Sequence, residues 1–155
     1  MRMTDLYEFG AKTEIGSYTF DEENIIRFAS RFDPQPFHID PEAAKRSLFG
    51  GHCASGWHTC AVWMKTFVAY WLQETARLER QGLKPPTLGP SPGFQKLQWL
   101  KPVFAGDTVT YSVTLTASRA LASRPGWILN NILCEGENQH GVPVLRFEST
   151  VLEFE

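Results

Sequence analysis

One stretch constrains this chain more than any other: the apolar run that Ser55-Gly56 opens and that ends in the charged segment Glu74 to Arg80. From Trp57 to Leu72 it is apolar on nearly every side, with Ala61, Met64, Val68 and Trp71 at helical spacing. It is shorter than the ~20 residues that cross a bilayer, and it carries His58 and Lys65. It therefore predicts a buried helix around which the rest of the chain must wrap, with Glu74 to Arg80 reaching solvent.

The period changes after this helix. Lys84 to Gly93 is rich in proline and glycine and reads as a loop. Phe94 to Leu100, Thr108 to Ala117, Trp127 to Glu137 and Val144 to Phe154 alternate or are β-branched, which predicts strands. Gln139-His140-Gly141 supplies a hairpin turn. A segment near Thr13 to Phe20 adds an early strand. The expected class is α+β, a single domain over 1–155 with one long helix wrapped by an antiparallel sheet.

Before the helix, Asp21 caps a segment from about Glu22 to Phe32, with Ile25, Ile26, Ala29 and Phe32 on one face. Asp33-Pro34-Gln35-Pro36 must end it, because two prolines in four residues forbid a continuing helix and favour a stiff extended loop. Asp40-Pro41 then restarts a short helix that ends near Phe49-Gly50-Gly51.

Polar and ionisable groups gather on that loop. Asp33 and His38 are five residues apart on a backbone with few conformations, so both side chains can face one pocket. A histidine moves protons near neutral pH, and a carboxylate orients or deprotonates water. The spacing is also common by chance. Asp33 equally fits an Asx turn, His38 a hydrogen-bonded core histidine, and Asp40 is better explained as a helix cap.

The segment Phe32-Asp33-Pro34-Gln35-Pro36-Phe37-His38-Ile39-Asp40, then Ala43-Ala44, Phe49-Gly50-Gly51 and Ala54-Ser55-Gly56, resembles the signature of the MaoC-like dehydratases and (R)-specific enoyl-CoA hydratases. Leu100-Lys101-Pro102-Val103, Gly106-Asp107-Thr108 and Arg146-Phe147-Glu148 extend the likeness from about residue 19 to 154. The resemblance implies a hot-dog fold and a hydro-lyase that reversibly adds water to a trans-2-enoyl thioester to give a 3-hydroxyacyl thioester. It puts Asp33 and His38 in the catalytic positions and gives the backbone N–H of Gly56 to the thioester oxygen. Gln35, Ser55 and Trp57 fall at substrate-binding positions and depart from the family pattern, where Asn, His and a smaller residue are usual. The Gln and Trp changes bear on which acyl group is accepted. Neither a metal nor a redox cofactor is implied. Hot-dog proteins pair as homodimers, which also suits an edge strand and an all-round apolar helix that one small sheet cannot cover. Two other readings stay open: a hot-dog thioesterase, and a non-catalytic acyl-thioester-binding protein.

Composition supports a soluble chain with small-molecule partners. The formal net charge is −2 and no long basic run occurs, so no nucleic-acid footprint is expected. Met1 to Gly10 lacks the apolar core of a signal peptide. The three cysteines Cys53, Cys60 and Cys134 lack close pairing and fit reduced thiols in a cytoplasm. His52 and His58 lack zinc-site spacing, and His58 reads as a core or interface histidine. Trp57, Trp63, Phe67, Tyr70 and Trp71 read mainly as core, with one or two touching substrate. Lys96, Lys101, Arg119 and Arg124 read as solvated, or as contacts for coenzyme A phosphates.

Overall fold

The computed structural model describes residues 1–154. Helix α1 (Met3–Leu6) leads into strand β1 (Lys12–Thr19), helix α2 (Glu22–Phe32), two short helices α3 (Pro36–Ile39) and α4 (Pro41–Lys45), and the long helix α5 (Gly56–Arg80). Strands β2 (Thr87–Leu88), β3 (Phe94–Trp99), β4 (Thr108–Ala120), β5 (Trp127–Glu137) and β6 (Pro143–Phe154) follow. All pairings are antiparallel, in the order β1-β4-β5-β6-β2, and β3 also pairs with β6. The sheet curls around α5, the helix-in-sheet arrangement that the sequence led us to expect.

The curl has local causes. β1 shifts register between Glu14 and Gly16, and a bulge bends its strand. Gly16 has φ +145°, and a Cβ there would stand 2.9 Å from the Thr66 methyl of α5, so the strand and helix approach too closely for a side chain. Two side chains then tie α5 to β4: Tyr111 donates its hydroxyl to the Thr59 carbonyl at 2.9 Å, and the Trp63 indole donates to the Ser112 carbonyl at 3.2 Å. Trp63, Tyr111, Phe20, Ile25 and Leu145 are fully buried in the core between helix and sheet. Truncating a buried ring such as Trp63 to alanine costs roughly 3–5 kcal/mol.

The structure departs from several expectations. Proline does stop α2, but the extended loop is shorter than expected. Pro36 sits at the first position of a helical turn, where its missing N–H costs nothing, so His38 lies on a turn of helix. Phe32 is 70% exposed, because α2 runs past the core in its last turn and only Ile25 and Ala29 reach it. The long helix is not buried all round. The sheet wraps one side of it and leaves Met64, Val68 and Leu72 exposed. β3 does not alternate cleanly, because its register slips between Gln95 and Gln98 around Lys96, whose φ is 55°. The short strand β2 lies inside the expected proline-rich loop, and α1 was not anticipated. Asp40 does cap α4, accepting from the Glu42 and Ala43 N–H groups. No described helix is long and apolar enough to cross a membrane.

Candidate active site

Asp33 ends α2. Its N–H still donates to the Ala29 carbonyl at 2.9 Å, and Pro34 prevents another turn. The Gln35 N–H donates to the Asp33 carbonyl at 2.8 Å, and the α3 turn then swings His38 back over Asp33. His38 Nε2 stands 3.2 Å from Asp33 Oδ2, with both side chains largely buried.

The imidazole is held from behind. His38 Nδ1 lies 2.7 Å from the Cys53 carbonyl. A carbonyl only accepts, so Nδ1 carries a proton and Nε2 is the nitrogen free to gain or lose one. Nε2 is therefore the nitrogen that faces the Asp33 carboxylate. His52 grips the other way: its Nε2 donates to the His38 carbonyl at 2.6 Å. The 52–54 segment is itself pinned, with Ala54 N–H donating to the Val103 carbonyl and Ala105 N–H to the His52 carbonyl.

Ser55 is the cap residue of α5, yet its hydroxyl makes no capping bond. It donates to Asp33 Oδ2 at 2.8 Å, while the Gln35 amide donates to Oδ1 at 2.7 Å. Burial pushes the Asp33 carboxyl up, but the bonds from Gln35 and Ser55 and the nearby His38 outweigh it and hold the group below the usual carboxylate range. Because Ser55 serves Asp33, the first N–H groups of α5 lack the side-chain acceptor that a capping serine supplies. They open on a cavity of about 400 Å³ lined by Asp33, His38, Gly56, Trp57, Trp99 and Lys101, among others.

The structure thus brings together Asp33, Gln35, His38, Ser55, Gly56 and Trp57, all singled out from the sequence. Gln35 spends its amide on Asp33. Of the basic residues, Lys101 lines the cavity; Lys96 lies 3.5 Å from Glu148, and Arg124 stacks on Trp127. His58 lies outside the cavity, stacked on Phe28 with ring centroids 4.5 Å apart, and burial pushes it down to about 4. Burial and the Asp33 charge push the Cys53 thiol up to about 11, so it carries no thiolate at neutral pH. Two participants were missed. His52 was weighed only against zinc-site spacing, and Trp99 fell within the expected Phe94 to Leu100 strand.

Three comparisons agree with this architecture. Residues 8–125 match the MaoC like domain. The crystal structure of a MaoC-like dehydratase from Rhodospirillum rubrum superposes with TM-score 0.81 at 31% identity, covering 100% of this chain and 97% of that one. The unliganded R-hydratase PhaJ1 from Pseudomonas aeruginosa has the same fold, with TM-score 0.66 at 21% identity over 96% of this chain and 83% of that one. In sequence, the uncharacterized protein YdeM of Bacillus subtilis (strain 168) is 27% identical over 148 residues, 96% of each chain. A long helix inside a curled antiparallel sheet, the Asp33–His38 turn and a match across most of the length all converge: this chain belongs to the MaoC-like dehydratase family and has its hot-dog fold.

Proposed function

We propose that the protein is an acyl-thioester hydratase/dehydratase, adding water reversibly to a trans-2-enoyl-CoA or related thioester. One observation carries this reading: a carboxylate and an imidazole 3.2 Å apart face the same cavity as the open N-terminus of a long helix. Asp33 and His38 hold a water and take its proton as its oxygen bonds to C3. The C2–C3 π electrons move toward the carbonyl, and the negative charge forms on the thioester oxygen. The Gly56 N–H, with the helix dipole behind it, is suited to that oxygen. The proton returns to C2, which balances the addition. Run backwards, the same steps dehydrate a 3-hydroxyacyl thioester.

Gln35 and Ser55 position the carboxylate, and Trp57 walls the cavity. No metal or redox group enters these steps. We further propose a second copy as partner, covering the β3 edge and the exposed face of α5, and a cytoplasmic setting that keeps the three thiols reduced. The test is loss of the enoyl-thioester absorbance on incubation with crotonyl-CoA. Loss without free thiol supports the hydratase; release of free thiol indicates a thioesterase; binding without either change indicates an acyl-binding protein.

A further inference from the structure

An aromatic ring packs against Gly56 at the start of α5. A Cβ added to Gly56 would lie 2.3 Å from Trp99 Cε2 and 2.6 Å from its Nε1, so the indole rests directly on the Gly56 backbone. The half-exposed ring is held from two sides. Trp57 packs edge-on against it, with centroids 5.0 Å apart. Its backbone is the end of β3, paired with Leu145 of β6.

This position matters for what an acyl chain can occupy. Beyond its first few carbons a fatty acyl chain needs an apolar continuation. The structure has one further along the same helix, a groove of about 330 Å³ running past Trp63, Met64 and Leu72. That groove and the Asp33–His38 cavity share no lining residue. In the helix sequence Cys60 falls between them, and the Trp99 indole lies against Gly56. At about 400 Å³ the cavity is near the small end for ligand sites, and it must also hold the reacting water, about 30 Å³.

We propose that Trp99 is the specificity-determining residue that ends the acyl site, so that the substrates are short-chain thioesters of about four to six acyl carbons. This rests on the hydratase reading of the same cavity. A bulkier chain must displace an indole held by its strand pairing and a second indole.

The experiment compares crotonyl-, trans-2-octenoyl- and trans-2-dodecenoyl-CoA as substrates of the wild type, Trp99→Ala and Trp99→Phe. Binding of butyryl- and dodecanoyl-CoA is measured in parallel by calorimetry. The wild type should favour crotonyl- over dodecenoyl-CoA by at least about 100-fold in kcat/KM, within the range that apolar pockets achieve. Trp99→Ala should lower that ratio at least tenfold, and Trp99→Phe should stay near the wild type. Equal use of all lengths by the wild type, or an unchanged ratio in Trp99→Ala, overturns the proposal and leaves the hydratase reading standing. Should Trp99→Ala not fold, the wild-type ratio and a Trp99→Leu variant decide the matter by the same criteria. If no enoyl thioester is hydrated, the hydratase reading falls. Trp99-dependent preference for butyryl-CoA in binding then still upholds the length limit, and equal binding of both chains removes it.

Discussion

Two successive stretches of α5, Gly56 to Trp63 and Met64 to Leu72, are both largely apolar in sequence and unlike in structure. From Gly56 to Trp63 most groups have a fixed partner. The Thr59 carbonyl accepts from Tyr111, His58 stacks on Phe28, Trp63 donates to β4, and Ser55 just before them turns to Asp33. From Met64 to Leu72 the same helix exposes apolar side chains, with Leu72 65% exposed. The first half is held by its own chain and carries the candidate chemistry. The second half leaves apolar side chains exposed on this chain. The contrast shows that apolar patterning records surface that favours burial and does not say which part of it this chain covers.

The sharpest way to break this contrast is at the first half. Asp33→Asn and His38→Ala should each lower hydration of crotonyl-CoA by at least roughly 100-fold. Near-normal turnover in either folded variant removes the catalytic pair and with it the special standing of that end.

Next in size is a pH effect on stability. His58 is neutral in the folded protein, pushed down to about 4 against an unfolded value near 6.5. The unfolded chain therefore binds the proton first as pH falls, and stability drops between about 6.5 and 4. From pH 7 to 5 the loss should be about 2 kcal/mol. Urea unfolding of the wild type beside His58→Phe measures it; the same pH slope in both proteins argues against a strained neutral histidine in the core. Asp33 acts in a lower window. Its depressed carboxyl stabilises the fold above the ordinary carboxylate value, and that contribution is lost as pH falls through its folded value.

A charge on the uncovered half tests the other side of the contrast. Leu72→Glu should weaken self-association by about tenfold or more, near 1.4 kcal/mol, while leaving the folded chain's circular dichroism unchanged. Light scattering at micromolar concentration reads this. An active wild-type protein of monomer mass would show that the face needs no second copy.

The smallest effect is expected at the hinge between cap and carboxylate. Ser55→Ala removes one of the bonds that hold Asp33 ionised, so the acid limb of kcat/KM should move to higher pH. Activity at neutral pH should fall roughly fivefold, the scale of one hydrogen bond. An unmoved limb would mean that Ser55 caps or packs without tuning Asp33.

Much of the site was legible because local chemistry decided it. Prolines at 34 and 36 had to stop α2, and Asp40-Pro41 had to start α4. The motif around them named Asp33, His38, Ser55 and Gly56, and the structure brings these four to one place. Phe32 misled because helical spacing defines a face but not where the core ends along it. His52 and Trp99 were missed because their partners are far away in sequence: the His38 carbonyl lies 14 residues from His52, and Trp99 of β3 meets Gly56 at the start of α5.

The sequence by itself determined the periods of the elements, their breaks and the reactive residue types, because propensity, proline stereochemistry and capping act within a few residues. Only the tertiary structure decided that Ser55 leaves its cap for Asp33, that His38 and His52 grip each other's strands of chain, and that Trp99 packs on Gly56. Those choices depend on distances between segments far apart in the chain. Such distances are set only when the sheet curls around α5, since that packing fixes which donors and rings meet.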